Sequence, residues 1–151
     1  MPAFDPSTID DERLRRLYRH WESLRGGFAL PVPDAIDPLD VPWALGWLSV
    51  IACENGAYRW RLDGSRLAEF FHVEMTGKTL GQYPYAAAIP IVRADFDGAV
   101  AARAPVFAKR RYIDERGPWT HRALILPAGA DRATPDTLFQ MLALDPEEAA
   151  A

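Results

Sequence analysis

The chain has 151 residues, 49% of them hydrophobic and 25% charged, a size and balance that suit one compact domain with one core. A net charge of −4 and a pI near 5.3 exclude the broad basic footprint on which backbone binding to nucleic acid depends. The single cysteine, Cys53, excludes an intrachain disulfide and a cysteine-built zinc site.

The opening MPAFDPSTIDDER lacks the basic-then-apolar layout of a secretion signal, and no window is apolar for long enough to span a bilayer. A cytoplasmic protein without membrane insertion is therefore expected. Residues 1–8 hold two prolines and little periodicity, and are expected to be a flexible lead. Over 9–25, Leu14, Leu17, Trp21 and Leu24 recur at steps of three and four, with Asp10, Asp11 and Glu12 near the start and Arg25 near the end. That predicts an amphipathic helix with charges matched to its dipole, closed by Gly26-Gly27. Its apolar stripe suits either the protein's own sheet or a second copy. A homodimer with Leu14, Leu17 and Trp21 at the interface is expected.

Residues 28–47 carry Pro31, Pro33, Pro38 and Pro42, which preclude long regular structure. A crossing loop with single-turn helices is predicted, anchored by Trp43, Leu45 and Trp47. The core of the domain then spans 48–144. Val50, Ile51, Ala52 and Cys53 meet Asn55-Gly56, the pair that most readily takes positive φ at both central positions of a type I′ turn. Tyr58 to Leu62 follows as the second strand of a hairpin, Asp63-Gly64 stops it, and Ser65 is expected to cap a helix reaching Phe71. Gly81 to Pro90 is a connection, and Ile91 to Arg103 resumes helical spacing with Val92, Phe96 and Ala99 or Val100 on one side. Three strands are predicted at 105–113, 120–126 and 137–144. They are separated by Glu115-Arg116-Gly117-Pro118 and by PAGADRATPD, and 145–151 is expected to be a frayed tail.

Helix, two strands, helices and three strands argue for an α+β fold with an antiparallel sheet. This order, together with Phe71-His72-Val73-Glu74-Met75-Thr76-Gly77-Lys78-Thr79-Leu80 and Arg59-Trp60-Arg61-Leu62-Asp63-Gly64-Ser65, resembles a PAS domain. The pairs His20-Trp21, Asp37-Pro38 and Leu126-Pro127 are similar to features of a bacterial branch of small single-domain PAS proteins. The resemblance implies a five-stranded antiparallel sheet with helices over one face, its first strand central beside its last, and a pocket between sheet and helices. It also implies a sensory or interaction module in signal transduction, here without an output domain of its own, that acts on a signalling partner and can take a small-molecule ligand. The alternative is a cone-shaped α+β isomerase or dehydratase with an enclosed pocket, for which strand order is the discriminator.

Alternation places Tyr58, Trp60 and Leu62 on one face. The ligand pocket is accordingly expected to be lined by Tyr58, Trp60, Phe71, Phe96, Tyr112 and Arg122. Arg61 is expected on the opposite face beside a carboxylate, and Lys109-Arg110-Arg111 as a solvated edge. Cys53 lies in a strand, not on a helix beside a flavin, and His72 at a helix end is a poor axial ligand for haem. No resident cofactor is expected. No HExxH motif or phosphate loop is present, no nucleophile context is recognised, and His20 and His121 carry no catalytic signature.

Overall fold

In the computed structural model, which describes residues 4–114 and 117–144, Asn55 and Gly56 take φ of 52° and 82° and close the hairpin between β1 (Leu48–Glu54) and β2 (Ala57–Asp63). The later strands are β3 (Val106–Asp114), β4 (Gly117–Ala128) and β5 (Thr137–Ala143). All neighbours pair antiparallel in the order β2-β1-β5-β4-β3, which sets the first strand beside the last. Gly117 and Pro118, expected in a turn, already pair with Asp114 and Ile113; Glu115 and Arg116 of that turn, like the tail from Asp145, lie outside the described residues.

Helices cover both faces of the sheet. On the outer face lies α1 (Glu12–Arg25), started by the Asp11 carboxylate, which accepts from the N–H groups of Arg13 and Leu14. Its stripe of Leu14, Leu17 and Trp21 packs on Leu124, Leu126, Phe139 and Met141 of the same chain. The Trp21 indole also donates to the Pro127 carbonyl at 2.8 Å. The three residues expected at a dimer interface are thus intramolecular core, because the sheet supplies a matching apolar face within reach of the helix. Residues 4–8 are not featureless either. Asp5 caps a 3₁₀ turn at Pro6–Thr8 and Phe4 stacks on Tyr18, while Met1–Ala3 lie outside the described residues.

The proline-rich segment completes this layer through two 3₁₀ turns and the one-turn α2 (Pro42–Leu45). Its buried anchors are Leu30, Ile36, Val41 and Ala44, whereas Trp43, Leu45 and Trp47 are only half-buried. Arg16 covers the Trp43 ring at 4.3 Å, which explains how that indole stays near the surface.

On the inner face lie α3 (Ser65–Phe71) and α4 (Ile89–Ala102), with Leu67, Val92, Phe96 and Ala99 turned inward. Ser65 is the first helical residue and not the cap; Gly64 holds that place. The free N–H groups of Arg66 and Leu67 donate instead to the Gly46 carbonyl, at 3.0 and 3.3 Å. A Cβ on Gly64 would stand 2.3 Å from that oxygen, so this close approach requires glycine.

Candidate functional site

Register decides which residues reach the inner face. Across the first hairpin Ile51 pairs with Trp60 and Val50 with Leu62, which leaves Arg61 without a partner. This bulge reverses the alternation beyond it. Leu62, expected beside Tyr58 and Trp60, falls level with Val50, which packs on the outer core. Asp63 turns inward instead, level with Ser49. Arg61 itself is exposed, and no carboxylate pairs with it among the described residues.

Asp63 ties the sheet to the following segment. Its carboxylate accepts from Ser49 Oγ and from the Met75 N–H, each at 3.1 Å, and burial pushes its pKa up. The chain then turns back at Gly77, where φ is 84°, and runs along the edge of β2. Gly77 N–H donates to the Trp60 carbonyl at 2.7 Å, and Trp60 N–H to the Lys78 carbonyl at 2.9 Å. The Met-Thr-Gly-Lys motif therefore closes one end of an internal cavity, with Met75 and Leu80 buried on either side of the turn.

The cavity measures about 40 Å³. Trp60, Leu67, Phe71, Val73, Met75, Leu80, Val92 and Leu142 give it apolar walls, and Ser49, Asp63, Tyr83, Arg110, Tyr112, His121 and Gln140 bring polar atoms to it. Three of the expected ligand residues line it: Trp60, Phe71 and Tyr112. Tyr58 and Phe96 belong to the inner core behind Trp60. Their rings meet edge to face at 5.1 Å, and the Tyr58 hydroxyl donates to Asp97. Arg122 is misplaced by the sequence reading, because β4 turns it to the outer face. There it holds Asp10 at 2.7 Å while Lys109 holds the same carboxylate at 2.9 Å. Those two cations lower the Asp10 pKa to about 2, the Arg122 hydrogen bond contributing most.

The residues that sequence reasoning missed are the polar ones. Arg110, expected on a solvated edge, is 3% exposed; its Nε donates to Asp95 Oδ2 at 3.0 Å and its Nη2 has no partner. His121, its register partner on β4, is 1% exposed and packs against Tyr112 and Trp119, both with ring centroids at 5.3 Å. Neither imidazole nitrogen has a partner, and burial, reinforced by the Arg110 charge, pushes its pKa down to about 3. Gln140 is 4% exposed and its Oε1 is likewise unmatched. The available signal was strand alternation: Ala108, Arg110 and Tyr112 share a face, as do His121, Ala123 and Ile125, and Leu138, Gln140 and Leu142.

A single antiparallel sheet in this order, with an internal cavity under its inner helices, defines the α+β sheet class that the sequence implied. A family model described as PAS domain matches residues 9–143, and the chain belongs to that family. No curated protein matches it. Among solved structures it is similar to a sensory box sensor histidine kinase from Vibrio cholerae. That match has 11% identity and a TM-score of 0.51 over 69% of this chain and 86% of that one. A structure described under a flavin analogue and the light-oxygen-voltage domain mechanism matches at 8% identity and a TM-score of 0.50, over 74% and 87%. These likenesses establish the fold.

The inner face does not fit a flavin. Cys53 is absent from the cavity lining, its thiol is pushed up to about 11 chiefly by burial, and the cavity is far below the several hundred Å³ of ordinary cofactor pockets. His72 does not suit an axial haem ligand, since it is exposed and ends α3 in the left-handed conformation. No helix among the described residues is long and apolar enough to cross a membrane.

Proposed function

We propose that this PAS domain is a sensory module in signal transduction that responds to a small molecule held between the inner sheet face and α3 and α4, without a resident chromophore. One observation carries the reading. Arg110 Nη2, both His121 nitrogens and Gln140 Oε1 are buried at one cavity without partners, and each such atom costs about 1–3 kcal/mol until something meets it. An apolar residue at any of these positions would avoid that cost, whereas a ligand would offset it.

The route outward starts at Asp63, which joins the cavity to Met75 and so to the exposed residues Glu74, Thr76, Gly77 and Lys78. A change in occupancy alters that anchor, and a signalling partner meets the altered edge. Binding is favoured over turnover because Ser49 Oγ is engaged by Asp63, and His121 lies four positions along β4 from Ile125, the residue in line with Gln140 and Ser49. Ser49 and His121 are therefore not adjacent.

A thermal-shift screen of small metabolites against the wild-type chain tests the proposal, with amide spectra recorded for every hit. A saturable stabilisation, about 2.7 kcal/mol at a hundredfold excess over Kd, is expected, with the perturbed amides clustered at Ser49, Asp63, His121 and Gln140. Absence of any saturable shift, or perturbations confined to the outer face, would overturn it. Absorption of the purified protein in the flavin or Soret region would overturn the chromophore-free part.

A further inference from the structure

The unmatched atoms of the inner face fall into two groups along the sheet. Arg110 and His121 pair directly across β3 and β4, whereas Gln140 pairs with Ile125, four positions further along β4, and stands level with Ser49. Directly paired side chains on one face have Cβ atoms about 4.5–5.5 Å apart. The guanidinium is also close enough for its charge to act on the imidazole, and both side chains border the same cavity. A short molecule at this end of the cavity therefore meets Arg110 and His121 together, without Gln140. Arg110 Nη2 offers it a cationic donor, and His121 offers two nitrogens that no protein atom engages.

Charge decides the species. Asp95 on α4 already balances Arg110 through its Nε, and Arg110 is the one cationic side chain in the described lining, so a bare anion would bring an unbalanced charge into a buried space. Around the imidazole, burial keeps the phenols of Tyr112 on β3 and Tyr83 ahead of α4 neutral, and Phe71 of α3 has no charge. Asp63 of β2 lies at the Gln140 end, level with Ser49. The group beside Arg110 that can take up a proton at an unmatched atom is the imidazole itself. One proton there cancels the charge of one anion. Size sets the rest: about 40 Å³, at roughly 10–15 Å³ for one water, gives room for about three or four non-hydrogen atoms.

We propose, resting on the ligand-sensing reading above, that Arg110 and His121 form a site for a one- or two-carbon carboxylic acid, taken up as the carboxylate together with one proton from solvent. One carboxylate oxygen accepts from Arg110 Nη2, and the other accepts from the protonated His121 ring. Both hydrogen bonds are charge-assisted and shielded from water, which makes them the stronger kind. The domain then answers to acid and pH together: the same total carboxylate fills the site better as the medium acidifies.

Calorimetric titration of the full chain with formate, acetate, butyrate and nitrate, across neutral pH and in two buffers of different ionisation enthalpy, tests this. Formate or acetate should bind with uptake of about one proton, its Kd rising by close to tenfold per pH unit. Butyrate, too long for the cavity, and nitrate, too weak a base to share the proton, should bind about tenfold or more weakly than that acid. Arg110→Gln should weaken formate and acetate by about tenfold or more. His121→Leu, which removes the unmatched nitrogens and keeps the test readable if Arg110→Gln does not fold, should abolish the proton uptake and weaken binding to a similar extent. Binding without proton uptake, nitrate or butyrate binding as tightly as acetate, or affinity that survives His121→Leu would overturn the proposal. If a compound of another class perturbs the amides of the inner face while neither acid does, the carboxylic acid is wrong and the sensing pocket stands. If nothing perturbs them, both fall.

Discussion

The two faces of the sheet are built to opposite specifications. On the outer face, Leu124, Leu126, Phe139 and Met141 meet Leu14, Leu17 and Trp21, with buried apolar side chains on both sides of the interface. On the inner face the same strands, one residue out of phase, present His121, Gln140 and Leu142, and opposite them lies space. Packing to crystal-like density is the norm for a core, so a cavity with unmatched polar atoms marks the inner face as the one not optimised for stability. Both faces carry a buried apolar cluster, and the inner one also borders the cavity with the unmatched polar atoms.

Truncation should separate them most strongly. Leu17→Ala is expected to cost about 3–5 kcal/mol in denaturant unfolding, because the rigid sheet cannot collapse onto the void. The oligomeric state should not change, since the Leu17 stripe is intramolecular. A loss under 1 kcal/mol would show that the outer layer is not the stabilising one.

Acid should reveal the inner face next. The His121 pKa is depressed from 6.5 to about 3 in the folded state, so the unfolded chain takes up a proton that the folded one refuses. Its contribution is fully present above pH 6.5 and is lost as pH falls toward 3. The loss is roughly 2–3 kcal/mol between pH 6.5 and 4.5 if the site titrates alone. Denaturant midpoints for wild type and His121→Asn across this range should show the slope in the first and not the second. Parallel curves would mean that the imidazole is not held neutral.

A change of opposite sign is expected at Gln140. Gln140→Leu removes an unmatched acceptor and should stabilise the ligand-free chain by about 1 kcal/mol. The smallest effect belongs to Asp10, whose ion pairs with Arg122 and Lys109 are largely exposed. Asp10→Asn should cost no more than about 1 kcal/mol after solvent screening, with the difference vanishing below pH 2 and shrinking in high salt.

Much of the fold was legible in the sequence because the signals were local. The Asn-Gly turn, the acidic start of α1, its 3-4-3 stripe and the turn residues before β5 each act within a few positions, and the structure follows them. Ser65 misled because its free N–H groups found the Gly46 carbonyl, a partner twenty residues away that local capping chemistry does not reveal. Arg110 and Arg122 misled for a related reason. A basic residue on a strand can face either layer, and only the packing of α1 on one face of the sheet and of α3 and α4 on the other makes Arg110 inward and Arg122 outward. Trp60, Phe71 and Tyr112 were found as aromatic walls, while the polar atoms among them lay on strands whose inward parity was unknown.

The unpartnered Arg61 makes the chemistry of the cavity depend on strand register as well as on composition. In an alternating strand every position has an even or odd parity, and the bulge adds one step between Trp60 and Asp63. Were the strand to run regularly through Arg61, every functional side chain would remain in the sequence and yet Asp63 would face the outer core and Leu62 the cavity. The Met75 N–H would then face a methyl group. Among relatives of this domain that keep these residues, the presence or absence of the bulge is therefore a larger chemical change than most substitutions in the pocket. Comparing pockets by aligned residue identity alone would miss it.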